Sequence, residues 1–487
     1  IKVHFCLKKR CFMNITFENL GFIKKGNIKT NDITIIFGPN NVGKTYLSYS
    51  IYSMMKEYRN YFFNAGYVNN KMAAALISDG VYEDTISSFI RGLDQNELCN
   101  KISGGLPRFF KDTHGLLKEA KVKVNENIDS NKLNQVSFRV TISLSHNFKM
   151  FISKVKGDDK LKFTIDEAEI SDEDAVKQIR KPTIKETLSR MQILIRYVVT
   201  TKFFDFLEKE PFIITSERTG ISLFLKEIDK NRNNVVNTIA LESYGIVEDS
   251  DNTIKNIIED RVSIFAEPIN HNINVIRDSF GSVRKITIDK NDVSNYKKIM
   301  STLSDLIGGN YKLLNEDILF LAKSPNGESI SIPMSMTSGA GKSMFLMDVF
   351  LRRYISKNSY LIIDEPELNL HPKNQIKMAE LLVRLSNYGV KVIITTHSDY
   401  IVKEINNRIM ASSVHDSSVL SKLGYDDIDL ISHDKVNAFT ISAEGVISEV
   451  DKDEFGINAR LFDEAILDVD SRSEVLIGNL MEGVKDD

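Results

Sequence analysis

Ile33-Thr34-Ile35-Ile36-Phe37-Gly38-Pro39-Asn40-Asn41-Val42-Gly43-Lys44-Thr45 is the stretch that decides the fold. Its first five residues are β-branched or apolar without polar alternation, which reads as a central strand buried on both faces. The strand ends at Gly38, and a helical pattern runs from Lys44 through Tyr58. Residues Gly38 to Thr45 fit GxxxxGK[ST] in full, in the strand-then-helix setting that the motif requires. Glycines at 38 and 43 let the loop through Pro39, Asn40, Asn41 and Val42 turn its backbone amides inward around phosphates. The helix starting at Lys44 points its positive dipole end at the same place. Lys44 is placed to reach the β- and γ-phosphates of ATP, and Thr45 to set its hydroxyl on Mg²⁺.

Two later apolar runs end in residues suited to the same chemistry. Tyr360-Leu361-Ile362-Ile363 leads into Asp364 and Glu365. An acid at the carboxyl end of a buried strand beside a phosphate loop suits Mg²⁺, and the adjacent carboxylate suits a base that deprotonates an attacking water. Val392-Ile393-Ile394-Thr395-Thr396 ends at His397, where an imidazole at the strand tip can donate to phosphate or to that water. A second glycine segment, Ser338-Gly339-Ala340-Gly341-Lys342-Ser343, ends in GKS but is no second phosphate loop. Its first glycine would fall at Met336, and no buried strand precedes it.

Around these motifs the chain reads as follows. Met13 to Leu20 opens a hairpin that turns near Gly26 and returns as 33–37. Residues 60–133 read as helical and polar, 136–144 and 160–164 as meander strands, and 166–207 as helical with a break near Pro182. Pro211 to Thr215 reads as a strand, and helices resume from Ile221 to about Ile307. Asp317–Ala322 and Glu328–Pro333 face each other across Pro325-Asn326-Gly327, and helix and strand then alternate through Thr396, the pattern of a parallel sheet.

In order, Gly38–Thr45, Ser338–Gly341, Tyr360–Glu365, Leu370-His371-Pro372 and Thr395–Ser398 resemble the heads of ABC-type ATPases, above all the RecF-like and overcoming-lysogenization-defect (OLD)-like branch. The resemblance implies an α/β fold: an ABC-type P-loop ATPase head, with a mixed, mainly parallel core sheet plus an antiparallel meander, and a large mostly helical insertion. It implies ATP and Mg²⁺ as cofactors, and a homodimer or larger oligomer in which Ser338, Gly339, Ala340 and Gly341 form the signature that binds ATP held by a second subunit. Leu370-His371-Pro372 corresponds to the D-loop at that interface. Ser216-Glu217-Arg218-Thr219-Gly220 resembles a recurrent element of the branch, with Arg218 contacting nucleotide or the partner head, or else forming an ordinary surface salt bridge. The signature departs from LSGGQ, and Gln135 and Gln192 are candidates for a Q-loop glutamine that the pattern does not place. OLD nucleases carry a Toprim domain that the residues after 410 are too few to form; Asp468-Val469-Asp470 reads as a solvated helix face. Nuclease-free relatives are often the ATPase half of two-gene anti-phage systems such as Septu or PARIS. The implied role is therefore a sensor that controls a separate effector, a nuclease or toxin. A RecF-like DNA-repair clamp and a nucleotide-bound scaffold with little turnover are the alternatives.

Composition bounds the rest. The 487 residues divide into roughly three domains by length alone. A phosphate loop at 38 and its acid at 364 nevertheless belong to one site, so the chain reads as one head split by an insertion. Residues 1–12 are an upstream extension or an expression remnant, 13–60 and 311–410 the head (with strands near 136–165 and 211–220), 61–310 the insertion or lid, and 411–487 a C-terminal α/β segment with an acidic tail. Lys and Arg number 63 against 66 Asp and Glu, a net charge of −3 that argues against a nucleic-acid-coating protein. Asp451 to Asp487 is acidic, which suits a solvated helix or a basic protein partner. Three cysteines, Cys6, Cys11 and Cys99, offer no disulfide framework and fit a reducing cytoplasm. No window approaches the roughly 18 apolar residues of a membrane span.

Overall fold

The computed structural model describes residues 13–64, 70–86, 95–124, 134–143, 148–167, 210–224, 265–280, 286–314, 317–323, 329–458 and 470–477. Residues 1–12, Gln192, Asp468 and nearly all of the 166–207 helical reading lie outside them. From the amino end, β1 (Asn14–Leu20), β2 (Ile23–Lys29), β3 (Ile33–Phe37) and α1 (Lys44–Asn64) are followed by α2 (Asn70–Ser78), β4 (Val81–Thr85), α3 (Gln95–Phe110) and β5 (Lys121–Val124). Then come β6 (Phe138–Ser143), β7 (Phe148–Lys154), β8 (Lys160–Glu167), β9 (Phe212–Ile214), α4 (Glu267–Ser279) and α5 (Val293–Ile307). The carboxyl half holds β10 (Gly309–Leu314), β11 (Asp317–Lys323), β12 (Ser329–Pro333), α6 (Gly339–Ser343), α7 (Phe345–Arg353), β13 (Tyr360–Asp364) and α8 (Pro372–Tyr388). It continues with β14 (Lys391–Thr396), α9 (Asp399–Ser413), β15 (Val436–Ile441) and β16 (Ile447–Glu449).

The core is a six-stranded sheet in the order β16-β15-β3-β14-β13-β9, parallel except for the edge strand β16. Both faces are covered, which is why β3, β9, β13 and β14 are buried along their length and largely apolar. Ile33, Ile35, Leu361, Ile363, Val392 and Ile394 enter one core, packed with α7, α8 and α9. Ile36, Ile362 and Ile393 enter the other, packed with α1 and the β1/β2 unit. Antiparallel sheets β2-β1-β5, β4-β8-β7-β6 and β10-β11-β12 flank this core. The mixed, mainly parallel sheet and the antiparallel meander are thus both present. β15 brings the sheet a strand from beyond residue 410. Among the described residues no helix is long and apolar enough to cross a membrane.

Two expectations are corrected. The hairpin turns at Gly21-Phe22, not near Gly26, and β1 pairs with β2 in the register Leu20↔Ile23 and Phe17↔Gly26, while β3 joins the other sheet. Gly26 sits inside β2 because Ile447 of β16 packs on it: a Cβ there would lie 2.2 Å from the Ile447 Cβ. The polar stretch 60–133 holds strands β4 and β5 as well as helices, and β4 pairs with β8. These strands escape a pattern reading because VYEDT is half-exposed and KVKV is only four residues long.

Candidate functional site

Pairing of Asp364 with Thr395 and of Thr396 with Phe37 aligns the carboxyl ends of β13, β14 and β3, the edge where parallel sheets bind ligands. From that edge Gly38 departs at φ +155°, and a Cβ there would lie 2.9 Å from the Ile441 carbonyl. Asn41 also takes a left-handed conformation, at φ +63°. The loop through Pro39, Asn40, Asn41, Val42 and Gly43 feeds α1, whose first turn holds no acidic residue to compete with an anion for its open N–H groups. The buried Lys44 ammonium arches back and donates to the carbonyls of Gly38 (3.0 Å) and Pro39 (2.6 Å). Burial pulls its pKa down, while Glu365, Asp364 and Glu367 pull it back up.

Thr45 donates its hydroxyl to Asp364 Oδ2 at 3.0 Å, and Thr395 donates to Oδ1. Asp364 is fully buried, and burial lifts its pKa to about 6 against the opposing hydrogen bonds from Thr395 and Thr45. A buried carboxylate held this far from its ordinary value, with a hydroxyl beside it, fits Mg²⁺, which favours hard oxygen donors and completes its shell with phosphate and water. Among the described residues no group of three His, Cys, Asp or Glu could hold a metal alone, so the fit is to an ion shared with phosphates.

Glu365 adopts φ +52°, unusual for a non-glycine residue. Its N–H donates to the Thr395 carbonyl at 3.0 Å. Its carboxylate is partly exposed and lies 3.7 Å from His397 Nε2. Burial first, and Lys44 second, lower the His397 pKa, which favours neutral imidazole, against the pull of Glu365. Glu367 holds the strand end by accepting from the His397 N–H (2.6 Å) and the Thr396 hydroxyl (2.9 Å).

The structure therefore brings Lys44, Thr45, Asp364, Glu365 and His397 to one edge. The segment Ser338–Gly341 lies elsewhere on the head. Ser338 and Gly339 are exposed, and a Cβ on Gly339 would lie 3.3 Å from the Asn369 Cβ. Ser338 caps the short α6 by accepting from the Gly341 N–H at 3.1 Å, Ala340 lies inside that helix, and Tyr311 donates to the Gly341 carbonyl. His371 caps α8 within its own chain by accepting from the Lys373 N–H. Gln135 is exposed in the turn before β6.

For Arg218 the surface salt bridge is corrected. The side chain is fully buried, and its guanidinium donates to the carbonyls of Asp364 (2.8 Å), Glu365 (2.6 Å) and Thr215 (3.1 Å). An arginine four residues past a three-residue apolar strand gave no sign of that inward turn. Thr395 and Glu367 were also missed, although Thr395 stands inside a quoted run and Glu367 lies two residues past Glu365; their signal was a hydroxyl and a carboxylate adjoining the strand tips.

A protein-family model described as "AAA ATPase domain" matches residues 13–402. The cell division ATP-binding protein FtsE from two strains of Streptococcus pneumoniae is 34% identical over 80 residues, 16% of this chain and 34% of theirs. The chain thus spans about a third of the length of these curated relatives. Among solved structures, it is similar to the Smc head domain of Pyrococcus furiosus bound to the C-terminal domain of ScpA, at 14% identity and a TM-score of 0.31 over 94% of this chain and 98% of that one. The SMC head domain of Thermotoga maritima follows at 13%, with a TM-score of 0.30 over 91% and 99%.

Proposed function

The chain belongs to the AAA ATPase domain family, and from that premise we propose that it binds Mg·ATP between two copies of itself and hydrolyses it. The cycle would control a separate effector, such as a nuclease or toxin, in an anti-phage defence system. The observation that carries the hydrolytic reading is the convergence of Lys44, the Thr45–Asp364 pair and the Glu365–His397 pair at one strand edge.

In this reading Lys44 exchanges its two loop carbonyls for β- and γ-phosphate oxygens, and the α1 amides hold the rest of the chain of phosphates. Thr45 and Asp364 would hold Mg²⁺, which supplies charge neutralisation to the phosphates when bound. Glu365 takes the proton of the attacking water as it bonds to the γ-phosphorus, and ADP leaves on the opposite side. His397 donates to the γ-phosphate side. The exposed Ser338 and Gly339 present the short α6 N-terminus to ATP on the other copy. The acidic run from Asp451 to Asp487 supports a protein partner for the effector role.

Mixing two inactive variants tests the shared site. Lys44→Ala disables the phosphate loop and Ser338→Arg blocks the signature, so each alone should release no phosphate. A mixed dimer keeps one intact composite site, and phosphate release should return to about a quarter of wild type, because half of the dimers are mixed and each has one of two sites. Failure of the mixture to exceed either variant would overturn the two-copy site.

A further inference from the structure

We propose that Arg218 is a positioning residue that sets the backbone of Glu365, and that its neighbours Glu217 and Thr219 tie this grip to α1 and to the loop beside the signature. The proposal rests on the reading of Glu365 as the base and adds to it the part that aims that base.

The geometry is specific. Arg218 spends its two terminal nitrogens on three carbonyls, and two of these belong to Asp364 and Glu365, the peptide units on either side of the Glu365 Cα. From the opposite side the Glu365 N–H is held by the Thr395 carbonyl. Glu365 is thus pinned at a left-handed φ that a non-glycine residue adopts at a cost, and such conformations persist where their surroundings over-determine them. A core filler would not need a charge. A guanidinium buried this fully is expensive to desolvate even with the carboxylates of Asp364, Glu367, Glu365 and Glu217 nearby, and among the described residues its Nε has no partner. A side chain of similar volume without the charge would avoid that cost but could not grip both carbonyls at once.

Flanking side chains extend the grip in two directions. Glu217 accepts from the Tyr49 hydroxyl at 2.8 Å, and Tyr49 lies one helical turn beyond Thr45 on the same face of α1. Thr219 accepts from Asn369 Nδ2 at 3.0 Å, and Asn369 is the residue that Gly339 abuts. Three consecutive side chains following β9 therefore contact the helix of the phosphate loop, the catalytic turn and the neighbour of the signature. A change at the signature surface has a path of direct contacts to the angle of the base, through Asn369, Thr219 and Arg218.

A double-mutant cycle tests this. Single-turnover hydrolysis and equilibrium binding of a fluorescent ATP analogue are measured for wild type, Arg218→Lys, Glu365→Gln and the double variant, each checked for folding by circular dichroism. Arg218→Lys keeps the charge but loses the fork, and should slow the single turnover about 100-fold, the loss associated with a misplacement of about 1 Å, with binding changed less than about threefold. In the Glu365→Gln background the same change should alter the residual rate by less than about twofold, because the group it aims is gone. An unaltered rate for Arg218→Lys, or an equal loss in both backgrounds, overturns the proposal while leaving the base intact. Normal hydrolysis by Glu365→Gln alone overturns the base reading instead. Where a change at Arg218 prevents folding, Tyr49→Phe, which removes only the hydroxyl holding Glu217, should lower the rate several-fold at constant affinity, and an unaltered rate overturns the proposal.

Discussion

Replacing Asp364 with Asn should stabilise the metal-free protein while abolishing its Mg²⁺-dependent turnover. The carboxyl of Asp364 is fully buried and keeps its proton up to about pH 6, against 3.8 for an ordinary aspartate. Its contribution to stability is therefore present below pH 3.8 and is lost as pH rises through 6. Above that, the native state holds a charge that burial disfavours. The displacement from 3.8 to about 6 corresponds to about 3 kcal/mol at 1.36 kcal/mol for each tenfold change in proton affinity. Asparagine removes the charge at nearly constant shape, and the hydroxyls of Thr45 and Thr395 can rotate to meet an amide as readily as a carboxylate. Urea unfolding of both proteins in chelator, from pH 4 to 8, measures the difference. Asp364→Asn should gain about 3 kcal/mol at pH 7.5 and approach parity near pH 4, whereas added Mg·ATP should stabilise only the wild type. A variant no more stable than wild type at pH 7.5, or a difference that does not change with pH, would refute the reasoning.

Other outcomes follow from the same geometry. Lys44→Ala should weaken Mg·ATP binding about 100-fold in titration calorimetry, in keeping with the loss of a charged hydrogen-bond donor worth about 3 kcal/mol. Far from the site, Asp429 is bonded by Arg384 (2.7 Å) and Arg408 (3.1 Å), which also pair with Glu380 and Glu404 between α8 and α9. Asp429→Ala removes one partner from each guanidinium while Glu380 and Glu404 remain, and should cost about 1.5–3 kcal/mol in urea unfolding, with per-molecule ATP affinity unchanged.

The sheet was legible because burial on both faces leaves a plain mark: β3, β13 and β14 are rich in Ile, Val and Leu, and they lead directly to Gly38, Asp364 and His397 at the site. The loop from Gly38 to Thr45 was legible because phosphate binding demands glycine and lysine at fixed offsets. Strands with one solvated face were harder to see. β2 carries three lysines in seven residues and is held by the contact of Gly26 with Ile447, more than 400 residues away in sequence. Arg218 illustrates a further limit. Its role depends on two backbone carbonyls some 146 residues distant, and backbone carbonyls leave no trace in a side-chain pattern. The left-handed turn at Glu365 is hidden for the same reason, since nothing in Asp-Glu-Pro announces a positive φ.

The most direct test of the account is a single-turnover measurement of phosphate release by Glu365→Gln, run beside sizing of the same samples with and without Mg·ATP. Loss of a general base should slow release about 10²- to 10⁴-fold, while the ATP-bound dimer persists or accumulates. Phosphate release at the wild-type rate would contradict the assignment of Glu365 and, with it, the hydrolytic site built around Lys44, Asp364 and His397.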